Sequence, residues 1–166
     1  RIYEITSARE ACAFSASANR VAYMCYDPTG TNLFICDSDG DMVLWNADAN
    51  EPVVLLHSMA PVDDKYEAGW ISTSDFGGFD WSGQRMALLL NDKTVEIRNA
   101  ATGEPILRLR APYMSRAAFS PDGSRIATFG DAVRIWDATS GAELAVFRVP
   151  DRGDEYATGL AFSPDG

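Results

Sequence analysis

The string AFSPDG occurs twice in this chain, at 118–123 and 161–166, with its two phenylalanines 43 residues apart. A fixed period of that length marks a repeat architecture, in which each unit buries its apolar faces on its neighbours. Weaker copies lie upstream. FDWSG puts Phe79 and Gly83 in the same four-residue relation, and YDPTG does so with Tyr26 and Gly30. The anchors are therefore Tyr26, Phe79, Phe119 and Phe162, spaced by 53, 40 and 43 residues.

Three of the anchors lead into the same succession of signals. After the turn glycine comes a β-rich run: 33–36 (LFIC), 86–90 (MALLL) and 126–129 (IATF). A polar hairpin signal follows at Asp39-Gly40, Asp92-Lys93 and Asp131-Ala132, the Asp-Gly pair being the strongest for a tight turn. The second run reads MVLW (42–45), VEIR (95–98) and VRIW (133–136), with Met42/Leu44, Val95/Ile97 and Val133/Ile135 on shared faces. That period of two specifies strands. Asn50, Gly103 and Gly141 then stand where a turn takes positive φ, before a third run at 53–56, 106–110 and 144–148. With the anchor strand, each unit holds four short strands in roughly the 40 to 45 residues that one propeller blade requires. Strands are predicted near 32–36, 42–46, 85–90, 94–98, 125–129 and 133–136, with essentially no helix.

VRIWDATSG (133–141), preceded by AFSPDGSRIATFGD (118–131), resembles the WD repeat, whose blades stack radially into a β-propeller. The resemblance spans about 21–166. It implies an all-β fold, a β-propeller of four-stranded antiparallel blades with about three complete blades, at 21–57, 76–110 and 116–149. Residues 1–6 read as the last strand of a preceding blade and 158–166 as the first strand of a following one. Such a set does not close a ring, so the expectation is a piece of a larger propeller whose remaining blades come from the same longer chain or from another chain. The departures are specific. Only Trp136-Asp137 keeps the signature dipeptide, against Trp45-Asn46 and Arg98-Asn99, and no Gly-His pair precedes an anchor. The family's hydrogen-bonded network of histidine, serine or threonine, aspartate and tryptophan is therefore incomplete. The resemblance places Trp45 and Trp136 in structural positions between blades, each with its indole N–H bonded to a neighbour. Arg98 at that position implies a more exposed or an ion-paired site.

Composition narrows the function. The formal charge is -10 in 166 residues, with no basic cluster, which opposes the phosphate neutralisation that drives nucleic-acid binding and the attraction to anionic lipid. No run approaches the roughly 18 apolar residues of a membrane helix. Three cysteines, Cys12, Cys25 and Cys36, form no C-x-x-C pair, and the N-terminal RIYEITSARE has no leader-like apolar core, so a reducing, cytoplasmic location is expected. The chain has a single histidine, His57, so multi-histidine metal sites are excluded, and no nucleophile elbow or phosphate loop is present. No cofactor, metal or catalytic residue is expected. Asp39, Asp92 and Asp131 read as turn residues.

The most distinctive segment is the connection around 58–75, longer than its counterparts, with Asp63, Asp64, Tyr66, Glu67 and Trp70 close together. Acidic residues interleaved with Tyr and Trp suit a basic protein or peptide partner, and the alternative is a solvated insertion with Trp70 lying on the rim. Connections 58–75, 111–115 and 150–158 are expected to line one rim, which adds Tyr113, Arg116 and Tyr156 to the candidate partner-binding set. The expected function is a non-catalytic protein-interaction scaffold or sensor module. The alternative is a regulatory or substrate-gating propeller attached to an enzyme such as a serine peptidase.

Overall fold

The computed structural model describes residues 2–3, 10–12, 21–37, 42–46, 49, 51–56, 76–90, 94–110, 115–148 and 159–166. They fall in two compact units, Arg1–Ile71 and Ser72–Gly166.

In the first unit, β1 (Ile2–Tyr3) pairs antiparallel with β2 (Glu10–Cys12). A four-stranded sheet follows in the order β3 (Val21–Tyr26), β4 (Asn32–Asp37), β5 (Met42–Asn46), β6 (Glu51–Leu56). Leu33, Phe34, Ile35, Cys36 and Leu44 are its buried apolar residues. The second unit contains two further four-stranded sheets. One is β7 (Phe76–Phe79), β8 (Arg85–Leu89), β9 (Thr94–Asn99), β10 (Pro105–Arg110), and the other is β11 (Arg116–Phe119), β12 (Arg125–Phe129), β13 (Val133–Asp137), β14 (Glu143–Phe147). Every pairing is antiparallel and sequential, and no helix occurs among the described residues. All six strands predicted from alternation are present, within one residue at either end.

The two sheets of the second unit stack face to face. Ala87, Leu89, Val95, Ile97 and Leu109 of one sheet meet Phe119, Ile126, Trp136 and Ala138 of the other in a single buried cluster, with Leu107 and Ala117 packed against it. The period-two pattern produces this. Ala87, Ile97 and Leu107 lie level in the ladder, as do Leu89, Val95 and Leu109, so each row presents apolar side chains to one side. The inner strand β11 packs on β7 and β8.

One irregularity recurs in all three four-stranded sheets. Between the third and fourth strands the register slips by one residue at Leu44/Trp45, at Pro105/Leu107 and at Ile135/Trp136, leaving Val53, Ile106 and Leu144 as the extra residues. A bulge turns the extra side chain off the regular alternation. Ile106 and Leu144 are accordingly half exposed although both belong to apolar runs.

The turn glycines match the sequence expectation where they are described: Gly103 and Gly141 have φ of 72° and 74°, while Asn50 lies outside the described residues. A Cβ on Gly141 would also come within 3.0 Å of Leu107 Cδ1 in the neighbouring sheet. Gly141→Ala is therefore expected to cost about 1 to 2 kcal/mol from the left-handed backbone alone, read as a lower urea midpoint at unchanged slope.

Candidate interaction surface

Each sheet has two ends, built by different chemistry. At one end the first and second strands are joined by a short turn that follows the anchor aromatic. Asp27, Asp80 and Ser120 occupy the next position and are all buried. Asp27 Oδ1 accepts from the amides of Thr31 and Asn32 at 3.0 and 3.1 Å, and Asp80 Oδ1 from those of Gln84 and Arg85 at 3.1 and 3.2 Å. Ser120 Oγ accepts from the Arg125 amide at 2.9 Å. One buried oxygen thus satisfies the backbone donors that the turn leaves unpaired. In the third sheet a second carboxylate assists. Asp122 Oδ1 accepts from the Ser120 hydroxyl at 2.6 Å and from the Ser124 amide at 3.0 Å, and these bonds hold its carboxyl down to about 2.

The turn between third and fourth strands, at the same end, is capped by Asn46, Asn99 and Asp137. Their Oδ1 atoms accept from Ala49 at 2.7 Å, from Ala101 and Thr102 at 2.7 and 3.0 Å, and from Thr139 and Ser140 at 3.1 and 2.7 Å. The second member of the Trp-Asp dipeptide is therefore a turn cap. Asparagine supplies the same oxygen, which explains why the chain varies between Asp and Asn there.

The preceding position explains the other departure. Trp136 is buried and donates from Nε1 to Thr128 Oγ1 at 2.8 Å, as the structural reading of this residue requires. In the second sheet Leu88 stands level with Thr128, and no hydroxyl is offered. Arg98 takes the tryptophan's place, ion-paired with buried Glu96 and donating from Nη1 to the Gly103 carbonyl at 2.8 Å. Trp45 lies half-buried on β5.

At the opposite end of the second unit, Arg110, Arg116, Phe129 and Val133 mark where the strand connections leave. Arg116 begins β11, is half-buried, and donates from Nη1 to the Ser115 carbonyl at 2.8 Å. Asp131 is exposed. Arg134 reaches it at 2.6 Å and Glu143 at 3.2 Å, and the Arg134 guanidinium holds the Asp131 carboxyl below its usual range. The other candidates, Asp63, Asp64, Tyr66, Glu67, Trp70, Tyr113 and Tyr156, lie outside the described residues, as do Asp39 and Asp92. Of the candidate set, the structure places Arg116 alone.

Sequence reasoning missed one feature of this surface. Trp81 is 71% exposed at the tip of the β7–β8 turn. The available signal was positional: Trp81 stands where the other three copies carry Pro28, Pro121 and Pro164. A place that proline fills as a turn former has no core role for an indole.

Among solved structures, those of U3-55K and of the RRP9 WD40 repeats superpose on this chain with a TM-score of 0.64 each, at 11% and 12% identity, covering 81% of it. The chain has the WD40 β-propeller fold. It spans about two fifths of the length of these structures, 41% and 40% of each. No family model matches the sequence, and no curated protein does. At this identity the likeness establishes the blades and nothing about their partners. Three four-stranded blades of this WD40 propeller are therefore present among the described residues, each with its anchor turn between first and second strands.

No group of three or more His, Cys, Asp or Glu able to hold a metal occurs among the described residues, and no helix there is long and apolar enough to cross a membrane.

Proposed function

We propose that the protein is a non-catalytic interaction module that holds a protein or peptide partner on the rim built from the connections 58–75, 111–115 and 150–158. The observation that carries this reading is the use of the polar groups in the blades. The buried carboxylates and hydroxyl of Asp27, Asp80 and Ser120 are committed to turn amides, and Glu96 is committed to Arg98. These groups maintain the scaffold, so contact chemistry falls to the connections, where rigid blades present variable segments.

The segment around 58–75 sets the partner's character. Tyr66 and Trp70 supply the aromatic area typical of binding hot spots, and Asp63, Asp64 and Glu67 favour a basic partner in a reducing, cytoplasmic setting. Replacing Tyr66 and Trp70 together by alanine is expected to weaken binding by roughly 2 kcal/mol or more with little change in melting temperature. Replacing the three acids should mainly slow association at low salt. The experiment is affinity selection of peptides on the immobilised protein, followed by calorimetry on the selected sequence. Unchanged affinity after deletion of 62–70 would reduce the segment to a spacer and remove this site.

A further inference from the structure

The second blade ends in an edge strand, β10, in which the same two residues turn both backbone and charge outward. The direction of each backbone group follows from one bond. The Leu90 amide donates to the Thr94 carbonyl at 2.8 Å, so Thr94, Glu96 and Arg98 direct their backbone groups to β8. Val95 and Ile97 therefore bond to Leu109 and Leu107, which stand opposite them in β10. Arg108 and Arg110 are left with their N–H and C=O groups on the free side of the strand, because β10 pairs with β9 alone among the described residues.

The side chains at those two positions are cationic. Arg108 and Arg110 share a face with Thr94, Glu96 and Arg98, and both are exposed. On β9 and β10 this face carries the guanidiniums of Arg98, Arg108 and Arg110 against the single carboxylate of Glu96, which Arg98 already holds in an ion pair. Arg108 donates from Nε to Thr94 Oγ1 at 3.1 Å, which fixes its stem along the strand. Arg110 makes no ion pair or side-chain hydrogen bond among the described residues. The positive excess is local. The whole chain stands at -10, and the positions that correspond to Arg108 and Arg110 are Leu55 and His57 in the first blade and Val146 and Arg148 in the third.

We propose that the outer edge of β10 takes an acidic, extended peptide as an added antiparallel strand, with one carboxylate side chain opposite Arg108 and one opposite Arg110. The edge selects a peptide. It presents donors and acceptors in alternation, which a second peptide backbone satisfies and a phosphodiester, carrying acceptors only, does not. The guanidiniums select its charge. In an antiparallel pair the residues that exchange both backbone bonds stand directly opposite and share a face, so acidic residues two apart in the peptide meet Arg108 and Arg110 together. The same groups turn away a second copy of β10, since two such edges side by side would set guanidinium against guanidinium. This surface is separate from the connections assigned above to a basic partner, and it calls for the opposite charge.

The probe is a capped peptide of alternating glutamate and threonine, added in saturating amount to the 166-residue chain while amide exchange is followed residue by residue by NMR. The Arg108 and Arg110 amides are expected to slow about fivefold or more, while those of Leu107 and Leu109, already bonded to β9, keep their rates. Arg110→Gln should weaken binding about two- to threefold and the double variant with Arg108→Gln about five- to tenfold, in line with exposed charge pairs. Unchanged exchange at Leu109 in both variants shows that the blade is intact. The peptide N-methylated at its glutamates, which lacks the donors that would face β10, and its lysine counterpart should not bind. Arg108 and Arg110 amides that the glutamate peptide leaves unslowed, or that are protected without it by pairing of two copies, overturn the proposal. So does equal binding of the N-methylated or lysine peptide, or displacement of the glutamate peptide by an oligonucleotide of equal charge.

Discussion

Replacing Trp136 by alanine is expected to lower the stability of the second unit by about 3 to 5 kcal/mol, the range for large aromatic truncations in a core. The indole fills the seam between the two blades beside Ile126, Phe119 and Ile97, so its loss leaves a cavity bounded by two sheets that cannot collapse without moving apart. The variant also strips buried Thr128 of the donor that its hydroxyl accepts at 2.8 Å. Trp136→Phe separates the two effects, keeping most of the volume and losing only the N–H, and should cost about 1 to 2 kcal/mol. Chemical denaturation measures both. If Trp136→Ala left the midpoint unchanged, the seam assignment would be wrong.

The readable parts of this fold were those set by alternation. Runs such as VRIW and IATF place every second residue on one side, and with the repeat register that specified six strands, while their order in each sheet came from the resemblance to the WD repeat. The bulges were not readable, because Val53, Ile106 and Leu144 are apolar residues inside apolar runs, and the slip is set by pairing with a neighbouring strand. The pairing of Glu10–Cys12 with Ile2–Tyr3 was likewise missed, since three residues carry no period. Arg98 was legible as a more exposed or an ion-paired site from its occupation of a tryptophan position, and the geometry decided for the ion pair by supplying Glu96. Arg85 carried no sequence signal as a link between the two blades of the second unit, because two of its partners, the Gly123 and Ala138 carbonyls, lie 38 and 53 residues away. Of the candidate binding residues, Arg116 stands at the end of the blade that the repeat register assigned to the connections.

Arg85→Met is expected to destabilise the second unit by about 2 to 4 kcal/mol, near what breaking a buried ion pair costs and reduced because the arginine itself is partly exposed. The side chain makes an ion pair with Asp80 at 2.8 Å, two carbonyl contacts across the seam and a stack on Phe119, and methionine replaces only the stem. Most of the loss comes from the carboxylate left behind. Asp80 is buried, and burial alone would raise its carboxyl, but the hydrogen bonds from Arg85 and Ser82 outweigh it and hold the group below its usual value. A carboxyl lowered in the folded state adds stability above the unfolded value of about 4, and that stability is lost as pH falls through the folded value. The gap between wild type and Arg85→Met should therefore be widest near neutral pH and narrow on acidification. Asp80→Asn in the Arg85→Met background should recover part of the loss, since an amide oxygen can still accept from the Gln84 and Arg85-position amides without leaving a charge in the seam. Urea melts of the wild type and the two variants at neutral and acid pH measure this. A gap that stays constant with pH would show that Asp80 remains neutral or solvated in the seam, and that Arg85 acts through packing alone.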